Sequence, residues 1–161
     1  MARVASILTC ICTALWLGGM VYLFIAVQTL FSAFPRPGST VAVEAAPRLF
    51  GAFERYQLIL ACVALLAAFA WSVATRSRLA MTAFILIALA GAAAAVSSTL
   101  ITPKMQQLRV EGKTATTPFR RLHGQSMIIY TSQAALLLAA AIVVAVAPVT
   151  RSSTPATRPN E

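Results

Sequence analysis

The sequence predicts an all-α integral membrane protein, a bundle of four antiparallel transmembrane helices, and three observations predict it. Hydrophobic residues make up 59% of the chain and charged residues 11%, with a mean hydropathy of +0.80, against about 25% charged in soluble domains. Four stretches free of Asp, Glu, Lys and Arg, at 4–35, 56–75, 79–103 and 122–150, reach or exceed the about 20 residues that a helix needs to cross the hydrocarbon core. Arg76-Ser77-Arg78 joins the second and third stretches so tightly that these spans must be antiparallel neighbours. We expect one membrane domain over 1–148, with spans at about 4–32, 54–75, 79–103 and 123–147, and a flexible tail over 149–161 rich in Ser, Thr and Pro.

The net charge of +9 would suggest nucleic acid in a soluble protein. Here the basic residues flank apolar spans, where they meet lipid phosphates and set orientation, and no basic-aromatic interleaving marks a strand-binding surface. Cys10, Cys12 and Cys62 fall within predicted spans, where a small apolar packing role is the default. Cys10 and Cys12, two apart on a helix, diverge too far to share a metal, so no metal site is expected.

The first apolar run is too long for the core of a cleavable signal peptide and is expected to be a retained helix. Cys10 comes too early, and without the small residue before it, for a lipoprotein anchor. Gly18 and Gly19 allow close approach of a neighbouring backbone, and Gln28, near the end of the span, bonds a partner helix, reaches interfacial water or lines a substrate path. Pro35-Arg36-Pro37-Gly38-Ser39-Thr40 is a turn whose hydroxyls suit a cap for the next helix.

Residues 41–55 read as a partly helical amphipathic entry to span two, with Glu44 and Arg48 at i,i+4 and Pro47 disturbing the helix. For Glu54 and Arg55 a hydrated interfacial pair is preferred over buried functional charges. Span three, AGAAAAVSST over 90–99, carries small residues around its whole circumference and is expected to be the most closely packed helix. Its hydroxyls, and Thr102, can bond back to the helix's own carbonyls. Pro103 is a candidate kink before an amphipathic continuation that ends at Glu111-Gly112-Lys113.

Four antiparallel spans gather the loops after spans one and three on one face. This long-loop face holds Arg36, Arg48, Arg55, Lys104, Arg109, Lys113, Arg120 and Arg121, against Arg3, Arg76, Arg78, Arg151 and Arg158 opposite. The positive-inside rule then puts the long loops in the cytoplasm, in a bacterial inner (plasma) membrane. On span four, His123, Ser126, Met127, Tyr130 and Gln133 form one stripe at 3-1-3-3 steps, and a polar stripe in a bilayer faces the bundle. One reading is a pocket with His123 as proton carrier, metal ligand or headgroup contact. The other, preferred, is an interhelical hydrogen-bond seam worth about 1 kcal/mol or less per bond. No nucleotide-binding loop, zinc spacing or serine-turn motif is present, so common soluble enzyme chemistry has no support.

Trp16-Leu17-Gly18-Gly19, Leu30-Phe31 with Phe34-Pro35-Arg36, Pro103-x-Met105 with Leu108-Arg109, and Phe119-Arg120-Arg121-Leu122-His123-Gly124-x-Ser126 together resemble the transmembrane protein 205 family, over about 15–147. The resemblance implies a four-helix membrane protein with its motifs on the long-loop face and brings no established reaction. Gln28 stands where the family leads us to expect proline, and Tyr130 where it leads us to expect asparagine.

The leading expectation is a non-enzymatic membrane protein, a transport or envelope-homeostasis factor with a polar, anion-binding face. Candidate site residues are His123, Ser126, Tyr130, Gln133, Arg48, Glu54, Arg55, Arg109, Arg120 and Gln28. Expected partners are the lipid bilayer, anionic lipid headgroups or a small solute, and a second copy of the chain; nucleic acid and a specific cofactor are not expected. The alternatives are a small haem or copper redox protein, resting on His123, and a structural assembly subunit, resting on the small residues of span three.

Overall fold

The computed structural model describes residues 1–34 and 40–152, and all of the predicted turn at 35–40 but Thr40, with most of the predicted tail, lies outside them. The described residues are helical almost throughout: α1 (Ala2–Ala33), α2 (Thr40–Thr75), α3 (Arg78–Val96), a wide π-helical turn (Ser97–Ile101), α4 (Thr102–Val110) and α5 (Thr117–Ser152). Among them, four helical segments are long and apolar enough to cross a membrane, the third being α3, the wide turn and α4 taken together. The chain is thus an integral membrane protein of the four-helix class. α1, with 32 residues, is about 48 Å long at about 1.5 Å per residue and overreaches a hydrocarbon core of about 30 Å.

α2 corrects the expected partial helix over 41–55. It runs unbroken through Pro47, whose missing N–H leaves the Val43 carbonyl without its helical bond but does not end the helix. Glu44 and Arg48 are both exposed, and Lys113–Glu111, at 2.8 Å, is the ion pair recorded among the described residues. That ammonium and the Gln107 amide hold the Glu111 carboxyl below the usual carboxylate range.

Pro103 sits at the start of α4, directly after the wide turn. Lacking an N–H, and with a ring that crowds the carbonyl of the preceding turn, proline disfavours a regular α-helical ladder there, and the turn widens instead of stopping the helix. α4 ends where predicted. Gly112, at φ +68, takes the left-handed position that a side chain resists, and Lys113 N–H bonds Leu108 O at 2.8 Å while Gly112 N–H bonds Arg109 O at 3.0 Å, a Schellman stop.

Trp16 meets Gln57, Tyr56 reaches the Leu15 carbonyl, Phe69 packs on Phe84 and Gly91 approaches Ala61 and Leu65. These pairings fit antiparallel neighbours. α1 packs along α2, α2 along α3, and α3 along α5, whereas α1 and α5 close the ring more loosely. The main core gathers Trp16, Met20, Phe53, Ile87, Leu137 and buried alanines, and a smaller one around Trp71, Ala80, Ala83, Val144 and Ala147 lies towards the opposite end. α3 buries Ala80, Ala83, Ile87, Ala90, Gly91 and Ala94 along one face.

The two glycines of α1 separate by phase. A Cβ at Gly19 would stand 3.0 Å from Tyr56 Cε1 and 3.1 Å from Phe53 Cε2, whereas at Gly18 it would meet nothing within 4 Å. Gly19→Ala is expected to cost about 1–2 kcal/mol through overpacking, and Gly18→Ala to stay within about 0.5 kcal/mol of the parent. Thermal unfolding of the two variants in one detergent checks the contrast, and equal melting points would refute it.

Candidate functional site

Glu54 and Arg55 part company. Successive helix residues point about 100° apart, so Arg55 is exposed, its Nε donating to its own helix at Gly51 O, 3.3 Å. Glu54 turns inward to 7% exposure and accepts a hydrogen bond from Thr102 Oγ1 across the bundle. The expected hydrated pair is therefore corrected to one buried acid and one surface base. Thr102 is corrected too: its hydroxyl bonds another helix, unlike those of Ser98 and Thr99, which return to Ala94 and Ala95 as expected.

One turn below Glu54, Gln57 Oε1 accepts from Gln133 Nε2 at 2.8 Å and from Trp16 Nε1 at 3.4 Å. An indole N–H can only donate, which fixes the Gln57 amide with its oxygen towards Trp16, and that in turn fixes Gln133 with its nitrogen towards Gln57. Gln57 Nε2 and Gln133 Oε1 are left without partners among the protein's own atoms, as are Ser97 Oγ and the Tyr130 hydroxyl. Tyr130 lies beside Glu54, Gln57 and Ser97 without hydrogen-bond geometry to any of them.

Above this layer, towards the long-loop face, a cavity of about 600 Å³ lies between the C-terminal half of α1, the start of α2, α4 and the start of α5. Its walls are apolar, from Phe24, Val27, Phe50, Met105 and Met127 among others, and its polar groups sit at two levels. Glu54, Thr102 and Tyr130 form the floor. Gln28 on α1, Gln106 and Arg109 on α4, and His123 and Ser126 on α5 stand higher around the same cavity, with Arg109 and His123 each about two helical turns, roughly 10 Å, from Thr102 and Tyr130. At that rim the Arg109 guanidinium lies 5.7 Å from the Phe119 ring centroid, and the same ring stacks with His123 at 6.5 Å and 4°. A cation over an aromatic face gains about 0.5–2 kcal/mol, enough to hold Arg109 in place.

Of the candidate residues, Glu54, Arg109, His123, Ser126, Tyr130 and Gln28 line this one cavity. Gln133 is fully buried beneath it, while Arg48, Arg55 and Arg120 are exposed and outside it. The span-four stripe therefore divides, with a seam at Gln133 and a cavity wall from Tyr130 to His123. Sequence reasoning passed over Gln57 and Gln106 and read Ser97 and Thr102 as hydroxyls satisfied by their own helix; the Glu54-x-x-Gln57 spacing, one turn on an apolar span, was a usable signal for Gln57. Among the described residues no three His, Cys, Asp or Glu side chains come together as a metal site.

No curated protein and no solved structure matches the chain. A family model does, over residues 11–114, from the third turn of α1 to just beyond α4, and so across Trp16, Glu54, Gln57, Ser97, Thr102 and Arg109. With more than half of its length matched, the chain belongs to the family described as a domain of unknown function, DUF4149.

Proposed function

We propose that the chain binds an anionic amphiphile, a lipid-like molecule with a negatively charged head, at its long-loop face, in the service of transport or envelope homeostasis. The observation that carries this reading is the two-part chemistry of the cavity, an apolar wall of about 600 Å³ between the loosely joined α1 and α5 with Arg109 and His123 at its rim. That volume suits a small amphiphile or a lipid headgroup with the first part of its chains. A guanidinium offers paired donors to phosphate or carboxylate, and Val21, Phe24, Phe31 and Met127, which line the cavity and are exposed, suit contact with an acyl chain.

The remaining features of the reading are an inner-membrane location with cytoplasmic long loops, one four-span domain over 1–148, and kinship with the transmembrane protein 205 family. They rest respectively on the excess of Lys and Arg on that face, the apolar spans, and the motifs quoted above. The haem or copper alternative has His123 alone for support, and that ring stacks on Phe119.

Competition between spin-labelled phosphatidylglycerol and phosphatidylcholine for the purified protein tests the proposal. A preference of about tenfold for the anionic lipid is expected, abolished by Arg109→Ala, as a lost charge-assisted contact of about 1.5 kcal/mol implies. Equal association of the two lipids, or a preference untouched by Arg109→Ala, would overturn it. Arg55→Ala, outside the cavity, serves as the control for general surface charge.

A further inference from the structure

The floor of the cavity poses a separate electrostatic problem. Glu54 is 7% exposed, its recorded partner is the Thr102 hydroxyl, and among the described residues no basic group stands within ion-pair distance of it. A carboxylate withdrawn from water takes up either a proton or a positive charge. The surroundings favour the second. Two hydroxyl oxygens without partners among the protein's own atoms, Ser97 Oγ and Tyr130 Oη, belong to this neighbourhood, Tyr130 lying beside both Glu54 and Ser97, and Ser97 is fully buried. Several neutral oxygens beside one carboxylate form the donor set of a hard cation. A single negative charge balances a single positive one.

The backbone adds to this. Ser97 opens the wide turn that precedes Pro103, and such turns recur where a helix is adapted to a site. Access is one-sided: Glu54, Thr102 and Tyr130 line the cavity on the long-loop side, whereas past the Gln57–Gln133 layer the core is closed by Ala64, Ala68, Ile87, Leu137 and Ala140, all 0% exposed. The bundle thus holds a polar recess over a dry plug rather than a pore.

We propose that Glu54, Thr102, Ser97 and Tyr130 form a binding site for a monovalent hard cation, of which sodium is the type, filled from the long-loop face. The proposal goes beyond the amphiphile reading, since it uses the floor of the cavity and not the rim. The other charged or titratable groups on the cavity wall are Arg109 on α4 and His123 on α5, about two turns higher, with Tyr130 beside the carboxylate and none from α1.

The test is thermal unfolding of the full chain in detergent, in sodium, potassium or choline chloride at matched ionic strength and over a range of pH. A saturable rise in melting temperature with sodium over choline is expected, abolished by Glu54→Gln and shifted to several-fold higher sodium by Ser97→Ala. Identical melting in sodium and choline, or a sodium effect that survives Glu54→Gln, overturns the proposal. So does a melting temperature that follows pH and ignores sodium, which would assign the carboxylate to a proton. Should Glu54→Gln fail to fold, radioactive sodium binding to the parent protein, displaced by unlabelled sodium and not by choline, carries the same decision. Lipid preference and Arg109 variants do not enter these readouts, so failure here is separable from failure of the amphiphile reading.

Discussion

Alanine in place of Trp16 is expected to destabilise the detergent-solubilised protein by about 3 kcal/mol, at the low end of the range of about 3–5 kcal/mol for large aromatic truncations in cores. Trp16 is 0% exposed at the centre of the main cluster, among Met20, Phe53 and Leu137. Between a lipid or detergent tail and a protein interior the hydrophobic transfer term is small, so the loss is dominated by forfeited dispersion contacts and the cavity left behind. The indole's hydrogen bond to Gln57, long at 3.4 Å, contributes little by comparison, and Trp16→Phe should therefore cost only about 1 kcal/mol. Denaturation followed by helicity, with reversibility checked, measures both. A Trp16→Ala variant within about 0.5 kcal/mol of the parent would show that this layer is not packed as described.

The four spans were legible because a bilayer requires long apolar stretches, and composition alone reveals them. The local stop at Gly112 was legible because its chemistry is confined to a few residues. The face on which each polar residue lies was harder to read. Glu54 and Arg55 are adjacent and equally polar in the sequence, and which of them turns inward depends on the rotation of α2 about its own axis, set by packing of Phe53, Gln57 and Ala61 against other helices. Thr102 reads from the sequence as a hydroxyl that bonds back to its own helix, and only the placement of Glu54, 48 residues away on another helix, redirects it. The stripe from His123 to Gln133 was legible through its helical spacing, but spacing gives direction and not depth. Depth is what separates the rim at His123, exposed, from the seam at Gln133, fully buried. Arg48, Arg55 and Arg120 entered the candidate set by being basic and on the right membrane face, and that criterion cannot distinguish a cavity wall from a lipid-facing surface.

Replacing Gln57 with leucine is expected to cost more than replacing Gln133, and replacing both less than the sum of the two. Gln57 Oε1 is the shared acceptor: without it the Trp16 N–H and the Gln133 amide both lose their partner in a region of 0% exposure, at about 1–3 kcal/mol for each unsatisfied buried group. Without Gln133, Gln57 still accepts from Trp16, so about 1 kcal/mol is expected there. In the double variant two leucines of similar volume face one another and only the indole N–H is stranded, which returns part of the cost. The coupling should be about 0.6–1 kcal/mol, because a helix unfolded within a membrane or micelle finds other hydrogen-bond partners and interhelical bonds are correspondingly modest. A double-mutant cycle on denaturant midpoints supplies the number. Strict additivity would mean that the two amides do not sense each other, and that the polar layer beneath the Glu54 recess is held by the packing around it and not by its own bonds.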